Sequence, residues 1–189
     1  EGIPDHTFGS VRPGDIKYKD VNQDGKINAL DNSAIGGTFD PQLVYGFGLN
    51  LRYKSVDFGM FFQGLENTYR IIGGSNFMPG SANGSMGNIL TNINDKWTID
   101  NPRQDVFYPR LSDYQSSNNN QASTWWLRDM SLLRMKNIEI GYNFPKRVLA
   151  KAFVQNARIF IKGSNLLTFS KFRLWDPEVG AANGLRYPI

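Results

Sequence analysis

The chain has 189 residues, 40% of them hydrophobic and 13% aromatic, with 19 glycines, no cysteine and a net charge of +4. That length suits one ordinary domain with a real core, and the missing cysteine excludes disulfide frameworks, thiolate chemistry and zinc-finger spacing. No run approaches the roughly 18 apolar residues of a transmembrane helix, which excludes helical membrane proteins but not barrels, and the dispersed basic residues speak against a nucleic-acid partner.

In chain order, residues 1–43 are polar and loop-like. His6, the single histidine, stands beside Asp5 and is expected to be solvated, since a catalytic base needs a nucleophile and an orienting partner in reach. The sharpest chemical motif is D-V-N-Q-D-G-K-I-N-A-L-D, Asp20 to Asp31. It places oxygen ligands where an EF-hand calcium loop has them: Asp20, Asn22, Asp24, the Lys26 carbonyl, Asn28 and Asp31, with Gly25 at the sharp turn. A hard divalent cation wants several oxygens, and alternating residues of a tight loop aim them at one point. Ile27 would point inward and anchor the loop. Asp31 is shorter than the usual bidentate Glu, as in dockerin loops, and no good exiting helix follows. The expectation is a structural Ca2+; the competing reading is a series of Asx turns without a cation.

Residues 44–65 read as a strand hairpin. Tyr45, Phe47, Leu49, Leu51 and Tyr53 share one strand face, and Gly46, Gly48, Asn50 and Arg52 the other. Tyrosines at both ends of a nine-residue apolar stripe suit a strand crossing a bilayer. After Lys54-Ser55, Val56, Phe58, Met60 and Phe62 repeat the apolar face, and Asp57, Gly59, Phe61 and Gln63 the other.

Residues 66–130 form a long segment rich in Gly, Asn, Ser and Pro, of the kind that is functional or disordered. Residues 131–168 hold two further strands. In the first, Ile138, Ile140, Tyr142 and Phe144 oppose Asn137, Glu139, Gly141 and Asn143. Upstream of Asn137 the phase breaks, because Arg134 and Lys136 would share the apolar face, so a bulge or sheet above the membrane is expected there. A turn at 145–156, with a helical stretch after Pro145, leads to a strand from about Arg158 to Thr168. Residues 169–189 form the last loop. Asp176 and Glu178 flank Pro177 there and are read as a turn rather than a glycosidase acid pair. Trp97, Trp125, Trp126 and Trp175 fall in the presumed outer loops. They offer faces for a substrate, against the alternatives of packing, an interface or an aromatic belt. The Gly73-Gly74 and Gly80 to Gly87 stretches lack a phosphate loop's context, and no enzyme signature emerges.

Short turns on one side and long segments on the other are the pattern of outer-membrane barrels. Three sets of blocks, in order, carry a family resemblance. P-G-D-I-K-Y-K-D-V-N-Q-D-G-K-I-N (Pro13 to Asn28) is followed by Y-G-F-G-L-N-L-R-Y-K with D-F-G-M-F-F-Q-G. W-L-R-D-M-S-L-L-R-M-K-N-I-E-I-G-Y-N-F-P (Trp126 to Pro145) precedes R-I-F-I-K-G-S-N-L-L-T-F-S-K-F and L-W-D-P-E. Together they resemble the C-terminal third of SusC/RagA-like TonB-linked outer-membrane transporters.

The resemblance implies an all-β fold of antiparallel strands, the C-terminal part of a transmembrane barrel of about 22 strands with long extracellular loops. It implies a nutrient importer in the Gram-negative outer membrane, not an enzyme. A SusD-like surface lipoprotein, TonB acting through an N-terminal plug, outer-membrane lipid and an oligosaccharide or peptide cargo would be its partners. Asn50, Arg52, Gln63, Asn137 and Glu139 would face the lumen. The plug and the final strand are not in this sequence, and no export signal is visible. Four strands cannot close, so the chain is expected to be part of a larger polypeptide. The rival is a secreted, calcium-stapled β-sandwich that binds carbohydrate or mediates adhesion, which would bury the face carrying Phe47 and Leu49.

Overall fold

The computed structural model describes residues 3–73, 91–112, 116–150 and 154–178. The Gly80 to Gly87 stretch, part of the 145–156 turn and residues 179–189 lie outside or partly outside the described residues. The chain divides into two compact units: Glu1–Gly36 with Arg70–Arg128 and Val179–Ile189, and Gly37–Tyr69 with Asp129–Glu178.

The second unit is built on one antiparallel sheet. β3 (Leu43–Tyr53) and β4 (Val56–Glu66) form a hairpin; β7 (Leu132–Asn143) pairs with β4, and β8 (Arg158–Ser170) with β7. Here β1 (Asp5–His6) pairs in parallel with β2 (Lys26–Ile27) in the first unit, and β5 (Tyr69–Ile71) makes a two-stranded ladder with β6 (Leu127–Asp129). The main strands are 11, 11, 12 and 13 residues long, enough to cross a bilayer at a tilt, which takes about 9–11. Lys54 adopts a positive φ of 52° at the hairpin turn. The short helix α1 (Lys146–Leu149) follows Pro145, whose fixed φ suits a helix start.

The register sorts the side chains. One face carries the rows Tyr53–Val56–Tyr142–Ile159, Leu51–Phe58–Ile140–Ile161, Leu49–Met60–Ile138–Gly163 and Phe47–Phe62–Met135–Leu167. These residues do not form a soluble core. Phe47 is 53% exposed, Leu49 41% and Ile161 80%. A sandwich would have buried this face; here it stays open.

The phase break at Lys136 is a bulge. Phe61 pairs with Asn137 but Phe62 pairs with Met135, so Lys136 is an extra residue on β7. On the other side, Met135 pairs with Leu167 and Asn137 with Ser164, where Asn165 takes a positive φ of 54°. The insertion keeps Leu133 and Met135 on the apolar face and turns Arg134 to the polar one.

The first unit has a different core. Ile16, Ile27, Ile72, Val106, Tyr108 and Trp126 are buried there. Ile27, at 1% exposure, anchors the loop that begins at Asp20.

Candidate functional site

Asn50, Arg52, Gln63, Asn137 and Glu139 share the polar face of the sheet, in the rows Arg52–Asp57–Gly141–Phe160, Asn50–Gly59–Glu139–Lys162, Gly48–Phe61–Asn137–Ser164 and Gly46–Gln63–Arg134–Thr168. A hollow of about 470 Å3 lies over this face, bordered by Asn50, Arg52, Asp57, Asn137, Glu139 and Lys162. Arg158 reaches across from β8 to Asp57 and Glu139, each at 2.5 Å, and Asn143 Nδ2 donates to Asp57 Oδ1 at 2.7 Å. The bridge passes over Gly141, where a Cβ would meet Asp57 Oδ2 at 2.5 Å. Sequence reading placed Asp57 on the polar face but did not find Arg158 as the cation that joins it to Glu139. The hydrophilic end of each pair was legible; which charges meet depends on register.

The loop from Asp20 to Asp31 is closed by its own carboxylates. Asp20 Oδ1 accepts from the Gln23 and Asp24 amides and Oδ2 from the Gly25 amide at 2.8 Å. Asp24 Oδ1 accepts from the Lys26 amide, and Asn22 Nδ2 donates to Asp24 Oδ2. Asp31 Oδ1 accepts from Val21, and its Oδ2 from the Asn28 amide in a capping box around the 3-10 turn Ala29–Asp31. The Asn28 amide, with those of Val21 and Asn22, holds the Asp31 carboxyl below its ordinary value. Gly25 supplies the positive φ of 80° that the turn requires. Among the described residues no three His, Asp or Glu side chains converge as a metal group. Among the described residues, Asp24 Oδ1 and Oδ2, Asp20 Oδ2 and Asp31 Oδ2 each accept one bond and retain a lone pair.

His6 is not solvated. It is buried, with Nδ1 2.8 Å from Asn118 Oδ1, because the N-terminal strand packs against a segment 112 residues away. The same segment makes a connected polar core. Asn118 Nδ2 donates to the Ile16 carbonyl, the Ile16 amide donates to Asn119 Oδ1, and Tyr18 Oη donates to the Asn118 carbonyl at 2.6 Å. Burial pushes the Tyr18 phenol up to about 12. Arg110 grips the fully buried Asp15 carboxylate through Nε and Nη2, both at 3.1 Å.

The tryptophans take unlike positions. Trp126 is buried, donates from Nε1 to the Asn119 carbonyl at 2.8 Å and stands edge-on to Phe107. Trp125 is half-buried and donates to the Phe107 carbonyl. Trp97 lies with its ring over the Gly14 backbone, so close that a Cβ would collide with it. Trp175 is half-buried, T-shaped against Phe172 at 4.7 Å.

Asp176 and Glu178 do lie in a turn, the Glu178 amide donating to Asp176 Oδ1, and both are bound by one guanidinium. Arg134 binds Asp176 through Nη2 and Glu178 through Nη1 at 3.0 Å, and Lys136 Nζ lies 2.6 Å from Glu178 Oε1. Partial burial raises the Asp176 carboxyl, but the Arg134 guanidinium, the Glu178 amide and the Lys136 charge together outweigh it and hold the group below its ordinary value. A carboxyl lowered in the native state stabilises above its unfolded pKa and loses that contribution as pH falls through the native value. Amides of residues 172–178 should therefore keep their protection from neutral pH down to about pH 4 and lose it below that. Hydrogen exchange against pH, with the β4–β7 ladder as internal reference, measures this; protection unchanged at pH 3 would remove the ion pairs from the account.

No family model matches the chain. It is 32% identical over 167 residues to TonB-dependent receptor P26 of Formosa agariphila, covering 87% of this chain and 16% of that receptor. TonB-dependent receptor P3 of the same organism is 29% identical over 177 residues, covering 93% and 16%. The chain thus spans about a sixth of the length of the curated relatives it matches. Among solved structures, the RagAB peptide transporter matches with a TM-score of 0.64 at 25% identity, covering 84% of this chain and 17% of that one. The RagAB importer in its closed-closed state matches with a TM-score of 0.63 at 24% identity, over 84% and 17%, a likeness of fold. Order of strands, an open apolar face and these likenesses agree, and the chain belongs to the SusC/RagA-like TonB-dependent receptors.

Proposed function

We propose that this chain supplies four strands of the wall of an outer-membrane, TonB-dependent importer, with the apolar face on lipid and the polar face on the bore. The observation that carries this reading is the open apolar face, whose rows are topped by aromatic residues at both ends: Tyr53 and Tyr142 near the short turns, Tyr45 and Phe169 near the long segments. Such rings settle at headgroup level. The side of the long segments is then the extracellular one.

A SusD-like lipoprotein as partner is supported by the likeness to RagA-type structures solved as RagAB complexes. The cargo is an oligosaccharide or a peptide, and Trp97, Trp125 and Trp175, which keep part of their rings accessible, are the surfaces offered to it. Affinity purification of the full-length protein from outer membranes tests the reading. A stoichiometric surface lipoprotein, together with detergent-dependent solubility, is expected. A protein that stays monodisperse without detergent would overturn it.

The loop from Asp20 to Asp31 would hold Ca2+ as a structural staple, with Asp20, Asn22, Asp24, the Lys26 carbonyl, Asn28 and Asp31 as oxygen donors. Its support is the EF-type order of oxygens around Gly25 and the lone pairs left on the carboxylates. Calorimetric titration should show calcium binding by the native protein and its loss in Asp24→Ala. Equal binding by both would take the metal away from this loop.

A further inference from the structure

We propose that residues 171–178 form a strap latched to the sheet by charge, with Arg134 and Lys136 on β7 as the catch and Asp176 and Glu178 as the bolt. The bulge at Lys136 makes the catch. It turns Arg134 onto the polar face, where the side chain is only 3% exposed. A guanidinium so placed needs partners, since an unpaired buried charge is strongly unfavourable.

The partners come from a short turn arranged to deliver them together. The Glu178 amide donates to Asp176 Oδ1 at 2.9 Å, so the two carboxylates sit on one side of Pro177, whose ring fixes the backbone between them. Each then takes one Nη of the same guanidinium, and Lys136 closes the outer side. Arg134 Nε keeps no acceptor among the described residues, so the guanidinium depends on these carboxylates all the more.

Besides these carboxylates the strap carries two exposed cations, Lys171, whose Nζ stands 3.8 Å from Asp129 Oδ2, and Arg173; its other side chains are apolar. Phe172 is 7% exposed and packs on Trp175, Pro177 is buried, and the chain leaves β8 through Ser170, whose Oγ donates to the Ser131 carbonyl and accepts from the Phe172 amide. Packing alone would hold such a segment whatever its charge. The buried Arg134 makes docking conditional on the carboxylates, because the docked strap is what compensates it. The end of β8 lies in the same row as Leu65 and Leu132, at the rim from which the long segments leave. The latch thus fixes the rim of the sheet. It goes beyond the import reading and does not depend on the cargo.

The test uses the full-length protein and hydrogen exchange followed by mass spectrometry. In Asp176→Asn/Glu178→Gln, amides of 172–178 should exchange at least tenfold faster while those of the β3–β4 hairpin are unchanged. Adding Arg134→Met to that pair removes the stranded charge and should recover most of the protection. Unchanged exchange in the folded double variant would overturn the latch and leave a strap held by packing. Should the double variant fail to fold, Lys136→Met, which removes the outer cation only, must still speed the same amides several-fold; no change there would equally overturn it.

Discussion

Leu49→Arg in the full-length protein is expected to cost about 2–4 kcal/mol of stability, the cost of a cation on the lipid face near the bilayer midplane. Leu49 sits in the row Leu49–Met60–Ile138–Gly163, midway between the aromatic ends of the stripe. Its neighbour Asn50 lies on the opposite face, beside Gly59 and Glu139. Asn50→Arg should therefore cost well under half as much, since a cation there meets water and a carboxylate. Reversible unfolding in lipid vesicles measures both. A larger loss for Asn50→Arg would invert the assignment of faces, and with it the proposed function.

Trp126→Ala is expected to cost about 3–5 kcal/mol, the range for deleting a fully buried large ring. The ring is 2% exposed, edge-on to Phe107 and tilted against Tyr108, and its indole N–H donates to the Asn119 carbonyl. Trp126→Phe separates the two contributions. It keeps most of the apolar contact and leaves a buried carbonyl without its donor, at about 1–3 kcal/mol. Denaturant unfolding with proteolysis of the 91–128 region reads both variants. Equal losses would assign the site to the hydrogen bond, and no loss in either would place Trp126 outside the core.

The strand hairpin was legible because its information is local. Period-two alternation from Tyr45 to Gln63 names both faces without knowledge of any partner. The strand from Leu132 was legible only as far back as Asn137. An inserted residue shifts the phase, and Arg134 then looks as if it belongs to the apolar side until its partners on β4 and β8 are known. His6 was misread for a related reason. Its sequence neighbours are polar, but the groups that bury it, Asn118 and Tyr18, reach it through long-range packing that no local pattern announces. The same holds for Asp15 with Arg110, and for Asp176 and Glu178 with Arg134. The loop at Asp20 lies between these cases. Its turns follow from local Asx chemistry, so its shape could be anticipated from residue types alone.

Lys136 has a consequence for how this wall tolerates changes in length. Deleting it would shift every upstream residue of the strand by one place relative to its neighbours. Arg134 would then be driven to the apolar face while Leu133 and Met135 swung to the polar one. Replacing the same residue alters one side chain and leaves the reading frame of the strand intact. At this position the count of residues matters more than their chemistry, and indels here should be far less tolerated than substitutions.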